Sequence, residues 1–164
     1  MANKINSILL GTIVVLSIVA VFAVPATAIV NTTAPSSYGY QTVLDQSYEY
    51  INNITWAKNG NGTITMTVEV NLTGTFGDYL TFGEYVNAWV DWNDDGYFND
   101  TDQVMDQVKY AINPPETLLY EVTFKINANG THWTRVNLAL DYDPPSEEAT
   151  WTYGDVKDTL IEIY

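Results

Sequence analysis

The sequence predicts an all-β chain, an antiparallel β-sandwich of immunoglobulin-like or jelly-roll-like type, preceded by an N-terminal hydrophobic signal helix. Three observations carry that expectation. Short runs of alternating apolar and polar residues recur from Tyr50 onward. Clusters of Gly, Asn, Asp and Pro separate those runs. No helical period follows the leader.

The leader is legible from its charge and hydropathy. Lys4 is the only charge before Asp45, Ile8 to Val24 is almost wholly apolar, and Pro25 precedes Ala26-Thr27-Ala28. That A-x-A pattern predicts a signal peptide over 1–28, with cleavage before Ile29. The alternative keeps the segment as a membrane anchor or as the helical core of a pilin-like filament. Its apolar run is at the short end for a spanning helix, and no basic residue beside a Gly or Ala marks a prepilin site. Residues 29–47, rich in Thr, Ser, Tyr and Pro, read as an extended arm or edge strand, and 48–164 as the folded domain.

Within the domain, Tyr50, Asn52, Ile54 and Trp56 alternate with Ile51, Asn53, Thr55 and Ala57 up to the turn Lys58-Asn59-Gly60-Asn61-Gly62. The next strand is the cleanest, with Ile64, Met66, Val68, Val70 and Leu72 on one face. A Gly-containing link leads to a strand with Val86, Ala88, Val90 and Trp92 on one face. Gln103 to Ala111 reads as a strand broken by Asn113-Pro114-Pro115. Leu118, Tyr120, Val122, Phe124 and Ile126 then mark the apolar face of the next. Trp133 to Asp141, with Val136, Leu138 and Leu140 inward, and Lys157 to Ile163 close the domain.

Charge narrows the partners. Against 6 basic residues stand 20 acidic ones, a formal net charge of −14. Such a surface repels nucleic acid and anionic membranes, and it attracts cations. Cysteine is absent, so neither disulfides nor thiol chemistry contribute.

One stretch stands out chemically. Asp91-Trp92-Asn93-Asp94-Asp95-Gly96-Tyr97-Phe98-Asn99-Asp100-Thr101-Asp102 matches the Ca²⁺-loop pattern D-x-[DN]-x-[DN]-G-x₅-E at every fixed position but the last. Asp91, Asn93 and Asp95 are the side-chain oxygens expected at loop positions 1, 3 and 5. Gly96 gives the sharp turn, Tyr97 a backbone carbonyl, Asn99 a contact through water, and Asp102 the closing carboxylate. Asp102 is one methylene shorter than the usual Glu. The alternative is an acidic turn held by Asx hydrogen bonds without a metal. The strand pattern ahead of the loop excludes an EF-hand helix, so the expected role of Ca²⁺ is stapling rather than sensing.

Val90-Asp91-Trp92-Asn93-Asp94-Asp95-Gly96-Tyr97-Phe98-Asn99-Asp100, taken with Thr152-Tyr153-Gly154-Asp155-Val156-Lys157-Asp158, is similar to the GEVED domain family, and Tyr50-Ile51-Asn52-Asn53-Ile54 resembles the family's start. The resemblance spans about Tyr48 to Tyr164. It implies a secreted β-sandwich module of cell-surface and extracellular proteins, without catalysis of its own. The chain departs at the second motif, where Asp155 replaces the first Glu and Lys157 the second. That puts any cation role of the second Glu in doubt here.

N-glycosylation sequons occur at Asn31, Asn53, Asn61, Asn71, Asn99 and Asn129, each on a polar strand face, a turn or the arm, as suits an archaeal or eukaryotic surface glycoprotein. Asn99 is also loop position 9, so a glycan and a ligand role conflict there. Five Trp and twelve Tyr could stack on sugars, but Trp56, Trp89, Trp92, Trp133 and Trp151 lie in or beside predicted strands, where core packing is the simpler role. His132, the only histidine, is placed at a turn as a surface residue, and no nucleophile motif accompanies it. The expectation is a non-enzymatic, extracellular structural subunit. It would self-assemble into a pilus-like filament, sheath or surface layer, stabilised by Ca²⁺, with strand exchange through the arm. The alternative is a Ca²⁺-dependent adhesin or carbohydrate-binding module that takes surface glycans on Tyr97 or Trp92. After cleavage of the leader no membrane partner is expected.

Overall fold

The computed structural model describes residues 24–26, 44–73, 82–111, 115–141, 143–144 and 153–164. Among the described residues eight antiparallel strands form two sheets: β1 (Val24–Ala26), β2 (Glu49–Lys58), β3 (Thr63–Leu72), β4 (Phe82–Val90), β5 (Gln103–Ala111), β6 (Glu116–Lys125), β7 (Gly130–Leu140) and β8 (Gly154–Ile163). The first sheet has the order β1-β2-β3-β6 and the second β5-β4-β7-β8. The chain crosses between sheets after β3, β5 and β6, so β3 pairs with β6 and β4 with β7 across long sequence separations.

This architecture is the expected all-β sandwich. The predicted leader (1–28) and arm (29–47) fall outside the described residues, apart from 24–26 and 44–47. Val24–Ala26 form a short strand on the edge of β2, with Ala26 opposite Trp56. Among the described residues no helix is long and apolar enough to cross a membrane.

The alternation in β3 is followed to the letter: Ile64, Met66, Val68, Val70 and Leu72 are all buried, and their neighbours face outward. Across from them Val86, Ala88, Val90, Val136 and Leu138 complete the core between the sheets. Each of these side chains except Ala88 contributes roughly 1.5–3 kcal/mol relative to leaving it in water. In β2 the simple alternation expected from Tyr50 onward fails. Glu49, Ile51, Ile54 and Trp56 are the buried residues, a spacing that skips once. A bulge at Asn52, between the pairs Ile51↔Val70 and Asn53↔Glu69, absorbs the extra residue and returns Ile54 and Trp56 to the core face. Asn52 turns its amide to Glu69 instead.

The free edge of β6 is covered by its counterpart in the other sheet. Gln107 Nε2 of β5 donates to the Glu121 carbonyl at 2.9 Å, and Lys109 Nζ donates to the Leu119 carbonyl.

Glu49 of the first sheet and Glu84 of the second are both fully buried, and among the described residues none of their four carboxyl oxygens has another residue's donor facing it. Their carboxyl groups lie against each other at the end of the sandwich where β4 begins, opposite the end where the acidic loop leaves it. Tyr120 Oη of β6 donates to the Glu84 carbonyl there at 2.7 Å. Two acceptors can bond only if a proton sits between them. Burial, then the neighbouring Glu49, Asp141 and Glu116, push Glu84 up to about 10. Burial raises Glu49 as well, against the hydrogen bond from Glu84. Folding therefore takes up protons between the ordinary carboxyl range and about pH 10, so the stability held in this pair is full in acid and is lost as the pH rises through that window. Glu84→Gln supplies a permanent N–H donor opposite Glu49. Urea denaturation of the parent between pH 5 and 10 is expected to show a falling midpoint. Glu84→Gln should flatten that fall, and equal slopes for the two proteins would contradict the shared proton.

Candidate functional site

The acidic loop begins where β4 ends. Asp91 is fully buried; its N–H donates to the Trp133 carbonyl at 2.9 Å, and its own carbonyl lies 3.1 Å from His132 Nδ1. The second neighbour of Nδ1 is Asp94 Oδ1 at 3.2 Å. Both are acceptors, so Nδ1 carries the proton. His132 is 2% exposed, contrary to its expected place on the surface. The reason is that β7 starts at Gly130 rather than Trp133, which puts the ring inside the strand and against Trp92, with centroids 5.4 Å apart.

Asp91 turns both carboxylate oxygens into the loop. Oδ1 accepts from the Asp95 N–H at 3.2 Å and Oδ2 from the Gly96 N–H at 3.0 Å. Asp95 Oδ1 accepts from the Tyr97 N–H at 2.9 Å, and Asp95 Oδ2 from Asn93 Nδ2 at 2.9 Å. Asn93 Oδ1 accepts from the Asp95 N–H at 3.3 Å. The tight turn needs left-handed backbone at Asp94 (φ 55°) and Gly96 (φ 86°), which an Asp tolerates and a Gly takes without strain. The loop closes in a 3-10 turn over Asp100–Asp102, with the Asn99 N–H donating to Asp102 Oδ2 at 3.0 Å. Burial pushes Asp102 above the usual carboxylate range, and the charges of Asp91 and Asp95 add to it against the Asn99 hydrogen bonds.

The predicted ligands are thus gathered on one loop. Asp91 and Asp102 are buried, while Asn93, Asp95 and Asn99 are exposed and Tyr97 is 61% exposed. Among the described residues no group of three or more His, Cys, Asp or Glu side chains stands ready to hold a metal ion. The donor chemistry nevertheless suits Ca²⁺, because the set mixes carboxylates with an amide oxygen and a main-chain carbonyl, all hard oxygens. The N–H groups bonded to Asp91 and Asp95 leave further lone pairs on the same oxygens. Asn99 Nδ2, where a glycan would attach, points at Asp95 Oδ2 at 3.5 Å, so the sequon and the loop compete for one atom.

Two aromatic residues fix the loop across the end of the second sheet. Trp92 inserts between the sheets, edge-on to Phe124 with centroids 6.0 Å apart, and Phe124 in turn meets Trp56 at 6.2 Å. Phe98 folds back on the other side of the sheet, onto Trp89 and over the Arg135 guanidinium, whose carbon lies 5.2 Å from the ring centre. Arg135 is 2% exposed and makes a bidentate pair with Asp158, Nε–Oδ1 2.8 Å and Nη2–Oδ2 2.9 Å. Trp89, Arg135 and Asp158 are direct cross-strand neighbours on β4, β7 and β8. Sequence reasoning passed over Arg135. The available signal was that it is the chain's only arginine and sits mid-strand, where a charge has to be paired.

The second motif, Gly154 to Asp158, divides its work. Asp155 is buried and accepts from the Ile51 N–H at 3.1 Å and from Gln46 Nε2 at 2.5 Å, tying β8 to the start of β2. Lys157 Nζ lies 3.2 Å from Asp155 Oδ2. Asp158 alone of the motif reaches the pair beneath the acidic loop.

The GEVED domain family model matches residues 85–161, from β4 through most of β8, just under half of the chain. This stretch matches the GEVED domain family. It contains the whole of the second sheet except the ends of β4 and β8, together with β6, while β2 and β3 lie outside the match. No curated protein matches the chain. Both GEVED-like motifs lie inside the matched stretch, and Arg135 stands between them in space.

Replacing Gly96 by Ala tests the loop turn in isolation. Left-handed backbone costs an L-residue about 1–2 kcal/mol, so the unfolding free energy of Gly96→Ala should fall by that amount, read as a lower urea midpoint with an unchanged denaturant slope. A midpoint equal to the parent's would show that the turn is not held in this conformation.

Proposed function

We propose that the GEVED chain is an extracellular structural subunit of a cell-surface assembly, such as a pilus-like filament, sheath or surface layer, with Ca²⁺ stapling its acidic loop. The observation that carries this reading is the way the loop is mounted. Its apolar residues Trp92 and Phe98 are buried on opposite sides of one sheet, while Asn93, Asp95 and Asn99 stay exposed. A cation held by those oxygens would lock a long surface loop onto a rigid sheet, the task disulfides perform in other exported domains. When bound, Ca²⁺ supplies charge neutralisation and a fixed coordination geometry. Asp91, Asn93, Asp95, Tyr97, Asn99 and Asp102 are the residues that would hold it.

Export and glycosylation belong to the same proposal. Of the sequons, Asn53, Asn61, Asn99 and Asn129 are exposed, whereas Asn71 is half-buried and bonded to Tyr50 Oη and Thr117 Oγ1; Asn31 lies outside the described residues. Cleavage before Ile29 would remove β1 and free the edge of β2 at Trp56 to Lys58, where the arm of a neighbouring copy could add a strand. The second reading, a Ca²⁺-dependent adhesin or carbohydrate-binding module, is favoured by the exposed Tyr97 ring at the loop. Trp92, its expected companion, is buried.

Thermal unfolding in Ca²⁺ and in chelator tests the staple. Free Ca²⁺ at a hundred times its dissociation constant should add about 2.7 kcal/mol, an effect that Asp91→Asn abolishes. Sedimentation velocity on the chain without its leader tests the assembly. Large particles in Ca²⁺ that dissolve in chelator are expected, and deletion of 29–43 should leave a folded monomer. A monomer in both conditions, with unshifted unfolding, would end the proposal.

A further inference from the structure

The two motif segments are far apart in sequence, yet one buried contact chain joins them. Asp158 of the second motif holds Arg135 through both Nε and Nη2, and the guanidinium face that results lies under Phe98 of the first. Phe98 sits between Tyr97 and Asn99, both predicted ligands. The same strand that carries Arg135 also holds the loop's start, through the Trp133 carbonyl and His132 Nδ1 on Asp91.

A bidentate carboxylate fixes a guanidinium in plane as well as in position, which a lysine ammonium cannot reproduce. A fixed plane gives the Phe98 ring one flat seat, and an aromatic face attracts a cation beneath it. With Trp92 sunk on the opposite side of the sheet, seating Phe98 leaves residues 93–97 little freedom except the closed turn around Asp91. Trp133 packs at the same cluster and screens it from water.

We infer that Asp158 and Arg135 are positioning residues for the acidic loop, and that the second GEVED motif acts on the first through the Phe98 ring. The inference concerns loop order and stands whether or not the loop takes Ca²⁺; its Ca²⁺ arm alone rests on the function proposed above. The loop should hold the Asp91-centred turn before any metal arrives, and Arg135→Lys should loosen the turn while leaving the sheets paired. Phe98→Leu, which keeps an apolar side chain but removes the flat ring, should do the same without touching the buried charge.

Hydrogen exchange on the full chain in chelator reads this directly. The Asp95, Gly96 and Tyr97 amides, which donate to Asp91 and Asp95, should exchange at least about fivefold faster in Arg135→Lys and in Phe98→Leu than in the parent. Amides of β3, in the other sheet, serve as the control and should change less. A role limited to global stability would speed both sets alike, and that result would overturn the inference. Unchanged loop exchange in Phe98→Leu would also overturn it, even if Arg135→Lys fails to fold. Calorimetric titration of the parent with Ca²⁺ alone then separates the two claims. Heat of binding in the parent with an affinity at least about fivefold weaker in Phe98→Leu extends the positioning to the ligand set. Equal affinities confine it to the free loop and overturn the extension, and no binding in the parent overturns the Ca²⁺ proposal while the exchange result still decides the positioning.

Discussion

The Arg135–Asp158 pair is the constraint around which the second sheet is built. A guanidinium and a carboxylate removed from water each lose several kcal/mol of hydration, and only close bidentate geometry offsets most of that loss. The pair therefore has to be placed where two strands are in register, and Arg135 and Asp158 are direct partners in the β7–β8 ladder. The sheet's outer face must then be sealed, since a half-wetted pair would not hold one geometry. Trp89 and Phe98 supply the seal beside it, and further along the same face Asn87 bonds Asp143 Oδ1 and the Pro144 carbonyl. A strand face that looks polar in sequence is consequently an interior, and the acidic loop is part of its cover.

That second interior explains which features were legible in advance. In β3 and β6 one face meets the core and the other meets water, so alternation of Ile64 to Leu72 and of Leu118 to Phe124 maps onto burial directly. In β7 six consecutive residues, Thr134 to Ala139, are buried, and no period of two can announce that. His132 was misplaced for a related reason, because the strand begins at Gly130 and the ring is held by a loop that lies 41 residues earlier in the chain, at Asp91. The bulge at Asn52 shifted the inward set of β2 by one residue, a change fixed by the partner strand and invisible in β2 alone. The loop itself was legible because its turn chemistry is local. Asp91, Asp95 and Gly96 interact within five residues, and their spacing is their geometry.

The acidic surplus of the chain is handled in two opposite ways. Along the loop, carboxylates accept from N–H groups or face solvent. At the other end, Glu49 and Glu84 are buried against each other, with no other donor among the described residues, and hold a proton between them. The formal charge of −14 thus overstates the anionic load of the folded molecule near neutral pH. The cost of closing the sandwich over two acids falls with the first proton bound.

The side-chain bonds from Gln107 and Lys109 to the carbonyls of β6 bear on solubility. An edge strand with vacant carbonyls is a template for any extended peptide that drifts against it, and ten-residue strands of alternating apolar residues are good templates. Here two of the outward acceptors, at Leu119 and Glu121, are already occupied from within the molecule, one by a cation that also repels a second copy's lysine. Runaway edge-to-edge stacking through β6 is therefore discouraged by the fold itself. A protein that has to reach high local concentration without forming amyloid gains from having this edge closed.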